Sequence, residues 1–328
     1  MKIIVTGAAG FIGMHSCLKL LKSNYSILGI DNLNNYYDRK LKFKRLKLLR
    51  ENKKFNFKKI DISNFKELLK TFKKFKPEFV LHLAAQAGVR HSIFHPEDYT
   101  KSNLVGFANI LECSKNLKIK HLVFASSSSV YGDSKEHPLS EKQKLNSPIS
   151  YYAATKLSNE LMAYSYSYIH KLPSTGLRFF TAYGPWGRPD MALFLFTEAI
   201  KKNKKIKLFN RGNMIRDFTY IDDIVSSIFK LLKKVPKIIK TNNKKEVPFR
   251  VLNIGSNNPI NIKKYIKLIE NNLGKKAKKV NYPMQKGDVK QTHADLKNLK
   301  RITKSKQIST KLEVGIKKFI EWHNEYYN

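Results

Sequence analysis

The sequence predicts an α/β fold, a doubly wound parallel sheet joined to a smaller mixed α/β lobe. Three observations carry that prediction. Short apolar runs alternate with helical patterns from the first residues to about position 180. The first run opens onto a glycine turn at Gly7, Gly10 and Gly13. The second run ends on a carboxylate, Asp31, at the place where a dinucleotide-binding unit needs one.

In chain order, Lys2-Ile3-Ile4-Val5 reads as a buried parallel strand, and residues 11–21 as the helix that follows the turn. Gly7 permits the tight turn, Gly10 lets the backbone approach a pyrophosphate, and Gly13 allows close helix packing. The helix start then offers unpaired N–H groups to the anion. This is a Rossmann-like arrangement. A second strand, 26–30, leads to Asp31, whose carboxylate can accept hydrogen bonds from adenosine ribose hydroxyls and would repel a 2′-phosphate, so the cofactor expected is NAD rather than NADP. A helix over 37–53, a strand over 55–60 ending at Asp61, a helix over 64–75 and a strand over 79–83 continue the alternation. A helix over 103–116, a strand over 121–125, a serine loop, a helix over 151–169 and a strand over 174–180 complete the sheet.

Beyond that point the pattern is irregular. Strands over 206–209 and 249–254 mix with helices over 191–202, 221–234, 261–273 and 310–326. The expected division is a cofactor domain over 1–185, to which later segments return, and a mainly substrate-binding lobe over 186–328. Pro236 stops the preceding helix, and lysine-rich 237–245 reads as an exposed loop. Asp222 and Asp223 read as caps of the helix that follows them.

Composition bounds the function classes. At 328 residues the chain is too long for the usual single core, and 42% hydrophobic residues suffice to build one. Met1 lies directly against the first strand, which leaves no room for a signal peptide, and no apolar stretch is long enough to span a bilayer. A cytoplasmic protein is therefore expected. Cys17 and Cys113 fall in helical patterns without metal-ligand spacing and read as buried thiols, so no metal site is expected. The formal net charge is +38, from 63 basic and 25 acidic residues. Lysines run along the whole chain, and in the stretch from Lys40 to Lys47 the spacing of Leu41, Leu46 and Leu49 makes them the solvated face of an amphipathic helix. No nucleic-acid reading motif accompanies the charge, so no nucleic-acid partner is expected; the field should favour encounter with an anionic substrate.

The chemistry points to the ends of the parallel strands, where ligands bind in such a sheet. The serine loop lies there: Ser126, Ser127, Ser128 and Ser129, followed by Val130, Tyr131 and Gly132. Tyr152 and Lys156 are four residues apart in a predicted helix and share a face. An ammonium beside the phenol, helped by a positively charged nicotinamide, favours the phenolate and makes Tyr152 a general base.

These motifs, together with Arg178-Phe179-Phe180-Thr181-Ala182-Tyr183-Gly184-Pro185, resemble the extended short-chain dehydrogenase/reductase family in its nucleotide-sugar branch. Three stretches are most similar to the UDP-glucuronate 4-epimerases: Asp31-Asn32-Leu33-Asn34-Asn35-Tyr36-Tyr37-Asp38, His82-Leu83-Ala84-Ala85-Gln86-Ala87-Gly88-Val89-Arg90 and Gly184-Pro185-Trp186-Gly187-Arg188-Pro189-Asp190-Met191. The resemblance implies that Tyr152 takes the proton of the sugar 4-hydroxyl while bound NAD accepts the C4 hydride. The 4-keto sugar then turns over and receives the hydride on its other face. Lys156 would lower the Tyr152 pKa and hold the nicotinamide ribose, and Ser127 would hydrogen-bond the reacting oxygen. Cofactor contacts are implied at Gly7, Gly10, Phe11, Ile12, Gly13, Asp31, Asn32, Asp61, Ile62, Leu83, Ala84, Ala85 and Asn103. Thr181, Arg216 and Asp288 would hold the diphosphate or uridine. A homodimer is implied through the helices at 103 and 151, and polysaccharide supply is implied as the use of the product. The chain departs from the pattern at Ala125, where some relatives have serine, and at His293, where an aromatic residue is expected.

Within that family the serine loop also separates reactions. Sugar 4,6-dehydratases carry Asp-Glu just before Val-Tyr-Gly and UDP-glucuronate decarboxylases a Glu before Val; this chain has Ser128 and Ser129. Epimerisation is therefore expected. A 4-keto glucuronate is a β-keto acid and loses carbon dioxide unless its carboxylate is held, a task suited to the Ser128 and Ser129 hydroxyls with Arg188. The alternatives are a 4-epimerase of a neutral UDP-hexose or UDP-N-acetylhexosamine, and a non-catalytic nucleotide-sugar binding protein on the same fold.

Overall fold

The computed structural model describes residues 1–238, 240–241, 244–245, 247–304 and 309–327. Seven strands form one parallel sheet in the order Phe249–Ile254, Ser174–Phe179, His121–Ser127, Phe79–His82, Lys2–Thr6, Ser26–Asp31, Phe55–Lys59. The central strands are buried along nearly their whole length because both faces are covered. Successive side chains enter different cores. Ile3 and Val5 pack on one face with Leu81, Val123 and Ile224; Ile4 packs on the other with Phe72, Phe107 and Leu122.

The chain leaves Lys2–Thr6 toward one edge of the sheet and returns to its other side at Phe79–His82. That reversal opens a crevice beyond Thr6 and His82, the position at which doubly wound sheets take ligands. Thr6 Oγ1 ties the two strand ends together, lying 2.8 Å from His82 Nδ1 and accepting from the Ala84 N–H at 3.2 Å.

The lobe over the crevice has its own core, in which Tyr183, Phe194, Phe218, Tyr265, Ile316 and Phe319 meet; the Phe218 and Tyr265 rings stack at 3.9 Å. Its sheet joins Thr181–Tyr183, Ile215–Tyr220 and Pro259–Asn261, and a second pair joins Lys205–Phe209 to Lys278–Tyr282. Asp217 ties these pieces together. Its buried carboxylate accepts from the backbone N–H groups of Ser256, Asn257 and Ala294 and from the Ser256 hydroxyl.

Three local expectations are corrected. The Ile221–Leu232 helix starts after Tyr220 without a side-chain cap: Asp222 and Asp223 lie inside its first turn, and Asp223 accepts from the Thr310 N–H at 2.8 Å and hydroxyl at 3.1 Å. Lys42 and Arg45 in the Arg39–Arg50 helix are buried and not solvated, since they share a face with Leu41, Leu46 and Leu49 and reach backbone carbonyls across the crevice. In the 237–245 stretch, Lys240–Thr241 pairs antiparallel with Lys244–Lys245 as a short ribbon, while residues 239, 242 and 243 lie outside the described residues. Among the described residues, no helix is long and apolar enough to cross a membrane.

Candidate active site

The glycine turn is built to bring backbone against backbone. Gly7 has φ +70°, and a Cβ there would lie 2.7 Å from the Ala84 nitrogen; a Cβ on Gly13 would lie 2.0 Å from the Gly7 carbonyl oxygen. The Phe11–Lys22 helix starts from Gly10 with no side-chain cap and no acidic residue in its first turn. Its first N–H groups therefore face the crevice with the positive end of the helix dipole, as an anion site requires.

Asp31 closes the other side of that turn. Its carboxylate accepts from the N–H groups of Leu33 at 2.9 Å and Ala9 at 3.2 Å. Burial pushes its pKa up, and Lys42, the two N–H groups and Arg45 pull it back. Lys42 donates to the Asn34 backbone and side-chain oxygens at 2.9 and 2.6 Å. Arg45 links the turn to the lobe, donating to the carbonyls of Ala9 at 3.0 Å and Trp186 at 2.5 Å.

The Tyr151–His170 helix carries Tyr152 and Lys156. Ser150 caps it, accepting from the Ala153 N–H at 3.1 Å. Asn103 fixes it laterally through Thr155 at 3.0 Å and through its own carbonyl, which accepts from Asn159 at 2.6 Å. Lys156 donates from Nζ to the Ala125 carbonyl at 2.9 Å; burial lowers its pKa to about 8 against the pull of Glu160. Burial raises the Tyr152 pKa, while a hydrogen bond with Ser127 and the charge of Arg188 oppose that rise. Ser127 stands at the end of its strand, accepting from the Ser129 N–H at 3.2 Å and donating to the Ser129 hydroxyl at 3.1 Å. The pair and the serine loop thus sit at one end of the crevice, with the glycine turn at the other.

A single cavity of about 1190 Å³ joins these groups. Gly7, Gly10, Phe11, Ile12, Gly13, Asp31, Asn32, Ile62, Leu83, Ala84, Ala85, Ser127, Ser128, Ser129, Tyr152, Lys156, Thr181, Arg188, Arg216 and Asp288 all line it. Two sequence-derived candidates are not part of that lining: Asn103 lies behind the wall, and Asp61, its side chain 34% exposed, lies beside Asn32. Asn103 is buried and holds Gln86, accepting from its N–H at 2.9 Å and donating to its carbonyl at 3.1 Å. Asp61 accepts from Ser63 at 2.8 Å and Asn32 at 3.4 Å and lies 3.8 Å from Lys101. His293 contacts Asn257 Oδ1 at 2.8 Å.

On the lobe side, Arg216 donates to Asp288 Oδ1 at 2.8 Å and to the Val289 carbonyl at 2.6 Å. Arg90 adds a second guanidinium 3.9 Å from Asp288, lying over the Phe209 ring at 4.7 Å. Arg188 pairs with Asp190 through two hydrogen bonds, at 3.0 and 2.5 Å. Sequence reasoning had not assigned roles to Arg90, Lys42, Tyr36 or Asp190. Tyr36, Arg90 and Asp190 lie in the three family-like stretches, which marked the segments without giving these residues a role, and Lys42 had no signal of its own.

The chain matches the model of the NAD dependent epimerase/dehydratase family over residues 3–255. It belongs to that family. Its relatives include Protein CapI of Staphylococcus aureus, 48% identical over 100% of this chain and 99% of that protein. UDP-glucuronate 4-epimerase 4 of Arabidopsis thaliana is 44% identical over 99% of this chain and 76% of that protein. The crystal structure of UDP-glucuronic acid 4-epimerase from Bacillus cereus in complex with UDP-glucuronic acid and NAD superposes with a TM-score of 0.89 at 34% identity, covering 100% of both chains. The extended short-chain dehydrogenase/reductase resemblance and the Rossmann-like fold expected from the sequence are thereby confirmed.

Proposed function

We propose that this member of the epimerase/dehydratase family interconverts UDP-glucuronate and UDP-galacturonate by NAD-dependent 4-epimerisation. The observation that carries the reading is the convergence of Ser127, Tyr152 and Lys156 in one cavity with the glycine turn, beside Ser128 and Ser129 where a carboxylate would direct elimination or decarboxylation. The glycine cradle, which any Cβ would fill, and the buried Asp31 carboxylate suit NAD. When bound, NAD supplies the acceptor and then the donor of the C4 hydride.

In this reading Tyr152 removes the 4-hydroxyl proton and returns it after the sugar has turned. Ser127 steadies the reacting oxygen, and Lys156, anchored by the Ala125 carbonyl, supplies the positive charge that a phenolate needs. The hydroxyls of Ser128 and Ser129, with Arg188, hold the carboxylate and suppress loss of carbon dioxide. Arg216 and Arg90 face the diphosphate, and Thr181 and Asp288 the rest of the nucleotide. Residues 1–185 with the returning Phe249–Ile254 strand carry the cofactor, and most of 186–328 closes on the sugar nucleotide.

A homodimer suits the outer face of the Tyr151–His170 helix, where Leu161 is 64% and Tyr168 58% exposed, with Tyr164 between them. Replacing both Leu161 and Tyr168 with glutamate is expected to give monomers by sedimentation. A cytoplasmic setting suits the two buried free thiols, Cys17 and Cys113.

The deciding experiment incubates the protein with UDP-glucuronate and, separately, with UDP-glucose, no cofactor being added, with products identified by NMR. A mixture of UDP-glucuronate and UDP-galacturonate is expected. UDP-xylose would overturn the carboxylate-holding roles, and turnover of UDP-glucose alone would move the assignment to a neutral UDP-hexose.

A further inference from the structure

The 184–191 loop meets the loop after the second strand in a three-residue cluster on the cavity wall. Arg188 donates from Nε to Asp190 Oδ1 at 3.0 Å and from Nη2 to Oδ2 at 2.5 Å, and the Tyr36 hydroxyl donates to the same Oδ2 at 3.1 Å. All three residues line the cavity. Tyr36 is seated against Gly88, where φ is +104° and a Cβ would lie 2.5 Å from the phenol oxygen.

A guanidinium can grip a carboxylate through two parallel N–H bonds along either of two edges, Nε with one Nη or Nη1 with Nη2. Two of the three Arg188 nitrogens, Nε and Nη2, are already committed in that way to Asp190. An incoming carboxylate is left with the end-on edge alone, Nη1 and the outer N–H of Nη2, and it meets an ion pair with no net charge, so its grip there is weaker than on a free guanidinium.

We propose that Asp190, braced by Tyr36, is a positioning residue that weakens the hold of Arg188 on the substrate carboxylate without abolishing it, so that the carboxylate is oriented while the keto sugar stays free to turn over. The inference rests on the UDP-glucuronate reading. Epimerisation returns hydride to the opposite face of the same carbon, so the sugar must present its other face and its C5 carboxylate must move with it. A full side-on clamp would deepen one orientation, and every increment of that binding would be added to the barrier for turning. The Arg188–Asp190 pair gives the carboxylate a direction with little depth. A neutral sugar, which carries a hydroxymethyl group at that position, is indifferent to the arrangement.

The test compares the parent protein with Asp190→Asn and Tyr36→Phe, each with its retained NAD. Epimerisation kinetics are measured on UDP-glucuronate, and the binding of UDP-glucuronate and UDP-glucose is measured by calorimetry. Freeing the fork is expected to tighten UDP-glucuronate binding about ten-fold, lowering KM, while kcat falls by a comparable factor and UDP-glucose binding is unchanged. Tyr36→Phe, which leaves the carboxylate in place, shifts both parameters in the same directions by less, and it decides the matter should Asp190→Asn fail to fold. A raised KM, a lower kcat with unchanged UDP-glucuronate binding, or an equal shift for both nucleotides would overturn the role given to Asp190. Absence of UDP-galacturonate from the parent protein would instead sink the assigned reaction.

Discussion

Lys156 is buried and Tyr152 half-buried at the cavity wall, and desolvation works against the charged form of each: it raises the phenol and lowers the ammonium to about 8. The groups that help the phenolate are therefore the ones to perturb. Ser127 favours it by a hydrogen bond, and Arg188 by its charge. Removing the hydroxyl in Ser127→Ala raises the Tyr152 pKa, and since the base must be deprotonated, the acid limb of kcat/KM moves to higher pH. A pH–rate profile unchanged from the parent would show that the Ser127 bond does not bear on the phenol. This pair and the serine loop were legible in the sequence because their geometry is local, four residues on one helix and one strand end. Lys42 and Arg45 were not, because one lysine among many differs from its neighbours only through the carbonyls of Asn34, Ala9 and Trp186 that folding brings to it.

The Tyr151–His170 helix is held to the serine loop by a buried ion pair. Glu160 accepts from Arg178 Nε at 2.9 Å and Nη2 at 2.7 Å and from the Ser126 hydroxyl at 2.5 Å, and Arg178 also donates to the Tyr131 hydroxyl at 3.0 Å. Both side chains are almost fully enclosed, at 4% and 6% exposure. Glu160→Gln leaves Arg178 without its counter-ion in a low-dielectric setting and is expected to cost about 3–5 kcal/mol, read as a lower denaturation midpoint. The same change removes the charge that holds the Lys156 pKa up, so that pKa should fall further. The central parallel strands Lys2–Thr6 and Phe79–His82 announced themselves as short apolar runs because both faces are covered. Of the lobe strands only Lys205–Phe209 did. Thr181–Tyr183 and Pro259–Asn261 have three residues each, and Ile215–Tyr220 takes its partners from chain segments far apart in sequence. The four-residue helices His91–Phe94 and Pro96–Tyr99 are too short to show a period.

At the scale of the whole molecule, a net charge of +38 surrounds a site whose proposed substrate carries a diphosphate and a carboxylate. The lysines are spread over the entire chain, but Lys204, Lys205 and Lys207 line the cavity with Arg90 and Arg216. Basic groups in a concave wall of low dielectric focus the field toward the entrance. Such steering acts on encounter and fades as salt screens it: between about 0.01 M and about 0.1 M the screening length contracts from roughly 30 Å to roughly 10 Å. The proposed chemical step, assigned to Tyr152, Lys156 and Ser127 inside the cavity, is shielded from bulk ions. Raising salt over that range is therefore expected to lower kcat/KM for UDP-glucuronate several-fold while kcat changes little. If kcat/KM and kcat fell in parallel, salt would be acting on the folded site rather than on encounter, and the lysine-rich surface would have no part in substrate capture.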